Sequence, residues 1–395
     1  MPRLGLVPLA ALVLSLAPVS AQKYQLRSAP AREILTLVDG NSPAVVREGR
    51  FSYFTSTGME PVVLRGADQF SLSGPTGVVV EPRDHYPIWI ESVWLDGGGT
   101  LYGWYHHEDF SVCGPGIAVP QIGAVVSYDG GDHFQDLGLV LASGGPPDCH
   151  AGNALFAGGH GDFSVILDRD SRYFYFLFTN YAGPLAEQGV AIARLKFEDR
   201  HRPAGAAFKY FNGMWSEPGL GGRVSPIFPA RVNWRDSGTD SFWGPAIHWN
   251  SYLESYVVLL NRACCAPRWP QEGIYISANA DLADPAGWLS PSRLMSAAEI
   301  GYGPGYYPQV LGLGPGETDT LAGQTVRLYI HGRSFWELTF LPPGPDDNGV
   351  PEEPPPPTEP QPSESIRAIR RPPAPSTIPI ASPAIGKPAP LRSDR

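Results

Sequence analysis

The chain has 395 residues, with 39 acidic and 29 basic side chains and a formal net charge of -10. Charged residues make up 17% of it and aromatic residues 11%, a balance that favours folding over disorder. The acidic balance and the lack of a basic stripe with interleaved aromatics argue against a nucleic-acid partner. The length fits one large domain or two ordinary ones.

Residues 1–21 have the pattern of a secretory signal peptide. Arg3 precedes an apolar run, and small residues form a cleavage pattern before Gln22. The run is broken by two prolines and is shorter than the roughly 20 residues of a membrane span. We expect a cleaved leader and a secreted or extracytoplasmic protein, in the periplasm or at the cell surface, without membrane insertion after cleavage. An uncleaved anchor or a lipid-tethered form is the alternative.

The other end of the chain is rich in proline. Residues 342–395 contain PEEPPPPTEPQP followed by the basic segment IRAIRRPPAP. Such composition favours extended polyproline II and cannot bury a core. We expect a disordered tail at 342–395, with a Pro-rich docking peptide as the alternative, and a folded domain at 22–341 that carries the function.

Within the folded domain, helix signals are scarce and antiparallel hairpins recur. Few segments show apolar spacing at i, i+3 and i+4, whereas short strands, Asp/Gly/Asn turns and aromatic-rich second strands repeat. Four segments align: ESVWLDGGGTLYGWYH from Glu91, DFSVILDRDSRYFYFLFTNY from Asp162, GPAIHWNSYLESYVVLLNRA from Gly244, and YPQVLGL from Tyr307 resumed at VRLYIHGRS.

The aligned positions are spaced for propeller blades. Ser92, Ser164, Ala246 and Gln309 recur at intervals of about 60 to 80 residues, which suit four-stranded sheets with long loops. The upstream segment ILTLVDGNSPAVVREGRFSYFTSTG has strand character and supplies one further unit. We therefore predict an all-β, five-bladed β-propeller, with six blades as the alternative. A β-sandwich would explain the strand alternation, but it would not explain why the same pair of strands, joined by a turn, recurs at these intervals.

Two motifs resemble known propeller families. The stretch from Ser127 to Phe134, SYDGGDHF, resembles the Asp box of sialidase propellers, in which the Asp braces an outer hairpin turn. The strings GDFSVILDRDSRYFYFLFTNY, WGPAIHWNSYLESYVVLLNRA and QEGIYISANADLADPAGWLSP resemble secreted bacterial relatives of the five-bladed glycosidases of glycoside hydrolase family 43. The resemblance implies a propeller that hydrolyses glycosidic bonds, and a structural role for Asp129.

The same resemblance implies carboxyl groups at the starts of successive inner strands. Glu91 and Asp162 open two such strands. At the following blade, where the family often has an acid before Ala-Pro, this chain has Trp243-Gly244-Pro245 and departs from the pattern. Glu272, in RWPQEGIYIS, is the nearest substitute, and Glu108 is a second candidate for the third group.

The neighbours of the two strand-start carboxyl groups suggest different roles. Glu91 stands among aromatic residues that would raise its pKa and suit a general acid, whereas Asp162 follows GGHG, whose amides could hold it ionised. Either carboxylate could instead brace a neighbouring loop. Asp84 is a rival that could simply pair with Arg83.

A carbohydrate cleft combines carboxylates with aromatic rings that stack on sugar faces. For substrate binding we expect polar and aromatic side chains on loops and strand starts: Asp84, His107, Glu108, His160, Trp243, His248 and Trp269. The alternative for any single Trp is packing between blades. The alternative function is a propeller that binds carbohydrate or protein without turnover, and we expect a monomer in either case.

No cofactor motif is present in the sequence. The sequence has neither the H-x-x-E-H nor the H-E-x-x-H spacing of zinc ligands on a helix. It also has no phosphate-binding loop with its Lys and no G-x-S-x-G nucleophile elbow. A zinc site in the cluster His106, His107 and Glu108 is a minor alternative, and a structural calcium ion bound by loop oxygens at the propeller axis stays open. We predict no catalytic cofactor and name no metal ligand.

The four cysteines allow three pairings. Cys113 and Cys149 lie on loops of one predicted blade, so a disulfide between them is favoured. Cys264 and Cys265 are adjacent and could form a vicinal disulfide or stay reduced. A nucleophilic cysteine is the minor alternative, because export oxidises exposed thiols.

Overall fold

The computed structural model describes residues 23–34, 38–267 and 269–342. The predicted leader at 1–21 lies outside these residues, as does the predicted tail after Pro342, so both stay predictions. No helix within the described ranges is long and apolar enough to cross a membrane.

The first two blades follow a short N-terminal strand, β1, at Tyr24–Glu33. Blade I contains, from the inside outwards, β2 Ala44–Arg47, β3 Arg50–Thr55, β4 Val62–Gly66 and β5 Thr76–Gly77. Blade II is preceded by β6 Val79–Glu81 and contains β7 Ile88–Leu95, β8 Leu101–Asp109, β9 Val119–Ser127 and β10 His133–Leu141, with β6 parallel to β10 at the outer edge.

The remaining blades have the same inside-to-outside order. Blade III contains β11 His160–Leu167, β12 Tyr173–Asn180, β13 Gly189–Lys196, β14 Phe208–Phe211 and β15 Met214–Pro218, and β16 Phe228–Pro229 pairs with β13. Blade IV contains β17 Gly238–Asn250, β18 Ser255–Pro267, β19 Gln271–Asn279 and β20 Ser292–Ser296. Blade V contains β21 Pro308–Gly312, β23 Thr325–Ile330 and β24 Arg333–Phe340; β22 Leu321–Ala322 pairs with β17.

Helical structure in the described chain is limited to single turns. They are α1 Ala297–Ile300 and the 3-10 turns Leu185–Glu187, Phe197–His201 and Pro285–Gly287. The predicted all-β, five-bladed propeller is therefore confirmed, and the six-bladed and sandwich alternatives are not.

Strand β1 closes the ring by joining blade V. It pairs antiparallel with β24, from Tyr24 opposite Phe340 to Glu33 opposite Arg333. The segment after it forms the further blade that the sequence predicted. The contribution of β1 to the last blade was not predicted.

Polar side chains at the repeating positions connect neighbouring inner strands. The Val165 amide donates to Ser92 Oγ at 2.8 Å, and the Ile247 amide donates to Ser164 Oγ at 3.2 Å. Across the closing junction, the Ser42 amide donates to Gln309 Oε1 at 2.8 Å. The repeat found in the sequence therefore reflects hydrogen bonds around the axis that satisfy inner-strand amides.

Strand β12 shows why the sequence YFYFLFTN is apolar on both faces. Side chains alternate between the two faces of a strand. Phe174, Phe176 and Phe178 pack into the core shared with blade II, and Tyr175 and Leu177 pack into the core shared with blade IV. Blade III packs against a neighbouring blade on each of its two faces. The side chains of β12 are therefore apolar or aromatic whichever face they point to.

The Asp-box-like turn has the structural role that its resemblance implies. Ser127 Oγ donates to Asp129 Oδ1 at 2.8 Å, and the amides of Asp132 and His133 donate to the same oxygen. Phe134 is buried. These bonds brace the β9–β10 hairpin at the outer edge of blade II.

Both disulfides form among the four cysteines. Cys113 and Cys149 are joined with a Cα–Cα distance of 5.2 Å, as predicted. Cys264 and Cys265 form the vicinal disulfide that was one of two alternatives. With no free cysteine left, a nucleophilic thiol is excluded.

Candidate active site

A cavity of about 250 Å³ opens where the inner strands begin, and we call it the aromatic pocket. Its walls combine carboxyl groups, one imidazole and mainly aromatic apolar side chains. They are Asp39, Trp89, His106, Glu108, Leu155, Phe156, Asp162, Trp243, Trp269, Tyr306 and Tyr307. Three carboxyl groups in one aromatic cavity distinguish it from the other cavities among the described residues.

Asp162 enters the pocket from the start of β11. A β-bulge between Gly161 and Phe163 and a φ of 41° at Asp162 turn its side chain away from the regular strand direction. Tyr181 donates its hydroxyl to Asp162 Oδ2, and Tyr307 donates to Oδ1 at 3.3 Å. Both carboxyl oxygens of Asp162 are therefore engaged by tyrosine hydroxyls.

Glu108 stands near the end of β8 and keeps part of its side chain exposed to the pocket, at 19%. Burial raises the pKa of Glu108 to about 7; the His106 imidazolium opposes this rise, and the charges of Asp162 and Asp39 add to it. A carboxyl group with such a pKa is largely protonated in mildly acidic water and can donate a proton.

Asp39 precedes the first strand of blade I and is the most exposed of the three carboxyl groups. Burial raises its pKa and the nearby Asp162 adds to the rise, whereas hydrogen bonds with the Trp89 and Tyr307 side chains oppose it. Its open surface can hold a water molecule. Sequence reasoning missed Asp39 although it obeys the strand-start rule, because blade I lacks a clear copy of the repeat.

Glu91 lies beside the pocket but not in its lining. Its Oε2 accepts the Phe163 amide at 2.8 Å, and its Oε1 lies 3.4 Å from His106 Nδ1. The side chain is buried, because a bulge between Ile90 and Ser92 directs it toward the axis. Glu91 and Asp162 lie close together, as expected. Glu91 was predicted to be the acid in the cleft, but its side chain contacts β11 and His106 and does not line the pocket.

His106 links Glu91 to the pocket. Although burial alone would lower its pKa, the carboxylates of Glu91, Asp162 and Glu108 together raise the pKa of His106 to about 9. Its Nε2 lies 4.0 Å from Glu108 Oε1. The imidazolium therefore offsets part of the negative charge that the carboxyl groups bring into this buried region.

Glu272 does not reach the aromatic pocket. Glu272 is the second residue of β19, the third strand of blade IV. Its carboxylate pairs with Arg293 at 3.0 Å and accepts a hydrogen bond from the Tyr275 hydroxyl at 2.7 Å. Because only inner strands approach the axis, a third-strand carboxylate lies too far out. Glu272 was predicted to be a third catalytic group, but its position on β19 keeps it outside the aromatic pocket.

Trp243 stands where the family pattern has its acid, and Gly244 stands where that pattern has alanine. The φ of Gly244 is 55°, and a Cβ there would lie 2.7 Å from Asn261 Nδ2. Its amide donates to Thr179 Oγ1 at 3.0 Å. The segment therefore brings an indole and no carboxyl group to the pocket.

Three of the predicted substrate-binding residues line the pocket, namely Glu108, Trp243 and Trp269. The two tryptophans are only 4% and 5% exposed, so they form its walls rather than an open platform. Trp89, Phe156 and Tyr306 are more accessible and can meet a sugar ring. The sequence did not single out Phe156, Tyr181, Tyr306 or Tyr307, although the tyrosine pair directly precedes an inner strand.

The other predicted binding residues lie elsewhere. Asp84 is exposed in the loop before β7, and Arg83 pairs with Glu60 at 3.2 Å instead of with Asp84. His107 is buried with its Nδ1 3.3 Å from the Pro87 carbonyl. His248 is buried at the axis, where burial lowers its pKa to about 3. His160 lines a separate cavity on blade III.

Glu91, His106 and Asp162 could supply three metal-ligand atoms within 4.8 Å of one another. The carboxylates are already hydrogen-bonded, to the Phe163 amide and to two tyrosine hydroxyls. This set does not fit a resident cation well, and we derive no step through a metal. A structural calcium ion at the propeller axis stays an open alternative.

Comparison with solved structures supports the fold. A thermostable family-43 glycoside hydrolase matches with a TM-score of 0.51 and 13% identity, covering 83% of this chain and 98% of that chain. An endo-arabinase from Bacteroides thetaiotaomicron matches with a TM-score of 0.50 and 13% identity, covering 79% and 96%. This chain has the five-bladed propeller fold of these hydrolases, which confirms the predicted resemblance.

A third match covers less of its counterpart. An exo-beta-1,3-galactanase from Phanerochaete chrysosporium matches with a TM-score of 0.45 and 13% identity, over 80% of this chain. This chain spans 64% of that protein's length. No protein-family model matches the sequence, and no curated protein matches it either.

Proposed function

We propose that this protein is an exported glycoside hydrolase that cleaves a poly- or oligosaccharide in the aromatic pocket. The observation that carries the proposal is the set of three carboxyl groups with different surroundings in one cavity, Asp39, Glu108 and Asp162. Glycoside hydrolysis needs one carboxyl group that donates a proton and another that acts while ionised.

Glu108 is the proton donor in this proposal. Burial favours its neutral form, and it faces the cavity from blade II. It takes the place of the blade IV acid, whose position Trp243 occupies. In the reaction, Glu108 gives its proton to the glycosidic oxygen as the bond from that oxygen to the anomeric carbon breaks.

Asp39 acts as the base. A water molecule held by Asp39 attacks the anomeric carbon and gives its proton to the carboxylate, so the proton lost by Glu108 is balanced by the one that Asp39 gains. Asp162 is a positioning residue, because its two oxygens are engaged by Tyr181 and Tyr307. The charge of Asp162 raises the pKa of Asp39, which couples the two aspartates.

The aromatic walls suit a carbohydrate. Apolar ring faces of sugars pack favourably on aromatic side chains, and polar groups between them fix the orientation. Trp89 and His106 lie with ring centroids 5.4 Å apart, and Trp243 and Tyr306 lie 5.2 Å apart on the other side. Export is supported by the two disulfides, since such bonds persist in oxidising compartments.

One observation favours a second function. Trp243 stands in place of the acid that the family resemblance implies, which is what a propeller that binds glycans without cleaving them would show. Such a protein would use the same aromatic pocket. Turnover separates the two functions.

The pH dependence of hydrolysis tests the assigned donor. Because Glu108 must be protonated and its pKa is raised to about 7, kcat/KM should fall about tenfold per unit well above that pH; because Asp39 must be ionised and its pKa is also raised, kcat/KM should fall again at the acid end. A rate profile of the wild type on an aryl glycoside between about pH 4 and pH 10 measures this. A basic limb that starts two or more units away from about pH 7 would contradict Glu108 as the donor.

A further inference from the structure

A second cavity, of about 530 Å³, lies on blade III and is larger than the aromatic pocket. We call it the blade III cavity. It is bounded by residues 143–146 after β10, by 182–184 and Glu187 after β12, by 221–224 after β15 and by Asn233 and Arg235 before β17. Its volume is in the range of small-ligand sites and can hold one or two sugar residues.

The two cavities are neighbours on the same face of the propeller. His160 lines the blade III cavity and Asp162 lines the aromatic pocket, two positions further along β11 and so about 7 Å away. Residues 143–157 run from one cavity to the other. Trp234, beside Arg235, packs against Trp269 of the aromatic pocket with ring centroids 4.4 Å apart. A glycan that occupies both cavities must therefore pass over this packed aromatic wall.

The chemistry of the blade III cavity differs from that of the aromatic pocket. No aromatic ring other than the His160 imidazole belongs to its lining. Glycine backbone forms much of the wall, and the amides of Gly144 and Gly145 have no hydrogen-bond partner among the described residues. Such a cavity recognises a ligand through charge and hydrogen bonds, not through ring stacking.

Arg235 gives the cavity an uncompensated positive charge. Its guanidinium makes no ion pair or hydrogen bond with any residue that the structure describes, and its Nε is buried. By contrast, Arg223 donates to Glu187 Oε1 from Nε at 2.8 Å and from Nη2 at 2.5 Å. The Arg235 Nε, like those of Arg200 and Arg327, is buried out of a ligand's reach, so a ligand would meet the Nη atoms, for which a carboxylate is the best-matched partner.

Acceptors for sugar hydroxyls lie in the same lining. His160 is not one of them, because its Nδ1 is 3.1 Å from the Gly159 carbonyl and its Nε2 is buried out of reach of a ligand. Burial, helped by the nearby Lys209 charge, lowers the pKa of His160 and keeps it neutral. Glu187 supplies carboxylate oxygens beside Arg223.

We propose that the blade III cavity is a subsite for an acidic sugar, a uronic acid residue, whose carboxylate binds Arg235 and whose hydroxyls bind Glu187 and the amides of Gly144 and Gly145. The glycan cleaved in the aromatic pocket is then an acidic polysaccharide. This last step rests on the proposed hydrolase function, whereas uronate binding does not.

Calorimetric titration with methyl glucuronoside and methyl galacturonoside tests the subsite, with methyl glucoside, methyl galactoside and acetate as comparisons. At least one uronoside should bind the full chain, and Arg235→Gln should weaken it about 10- to 100-fold, as loss of a charged hydrogen-bonding partner does. Arg172→Gln, which removes the same charge from the opposite end of blade III, is the matched control and should bind as the wild type does.

The outcomes separate this inference from the hydrolase function. Equal binding of acetate and uronosides, equal binding of neutral and acidic sugars, or unchanged affinity in Arg235→Gln would each overturn the acidic-sugar subsite. A wild type that binds uronosides and cleaves no glycan would leave the subsite intact and refute the hydrolase function. A wild type that cleaves neutral glycans but binds no uronoside would do the reverse.

Discussion

Replacing Glu108 with Gln should lower the hydrolysis of glycosides with poor leaving groups by about 10²- to 10⁴-fold, the usual loss when a positioned acid is removed. A leaving group that needs no proton should hide most of this loss, so a dinitrophenyl glycoside should be cleaved at close to the wild-type rate. The measurement is kcat/KM for alkyl or phenyl and dinitrophenyl glycosides of the same sugar.

The matched control is Glu272→Gln, which makes the same chemical change on a carboxylate outside the aromatic pocket. It should leave both rates nearly unchanged. Equal losses on both leaving groups in Glu108→Gln would show that Glu108 supports the pocket without donating a proton, and normal rates on both would remove it from the mechanism.

The Asp39→Asn variant should lose about 10²- to 10⁴-fold in kcat whatever the leaving group, because water activation is needed in every case. This leaving-group independence separates the base from the acid. The rates of wild type and variant on the same two glycosides provide the measurement, with thermal melts to show that the fold is retained.

Asp84→Asn is the control for Asp39, since Asp84 is exposed in a loop away from the aromatic pocket. Its activity should match that of the wild type. The role of Asp39 as base is refuted when Asp39→Asn keeps its rate, or when it loses rate only on the poor leaving group.

The fold was predictable because its repeat has a physical cause that recurs. Ser92, Ser164 and Gln309 each hydrogen-bond to the neighbouring blade, so a polar residue returns at the equivalent position in three blades, whereas Ala246 stands there in blade IV. The pairing of β1 with β24 was not predictable in this way. It joins the two ends of the domain, and nothing local in the sequence of β1 identifies its partner.

The site was predictable where strand order alone determines position. Asp162 and Trp243 stand at or near the starts of inner strands and reach the pocket. Whether a side chain points into the pocket or toward the axis depends on bulges, which the sequence does not reveal. The bulge at Glu91 turns that carboxylate inward, and the one at Asp162 turns its carboxylate to the pocket.

Release of new reducing ends from glycans by the wild-type protein, measured beside direct binding of the same glycans, tests the central claim most directly. We expect cleavage of at least one member of a panel of neutral and acidic plant and bacterial polysaccharides, with turnover lost in Glu108→Gln while binding is retained. A wild type that binds a glycan in the aromatic pocket yet releases no reducing ends from any member would contradict hydrolysis and identify a carbohydrate-binding propeller.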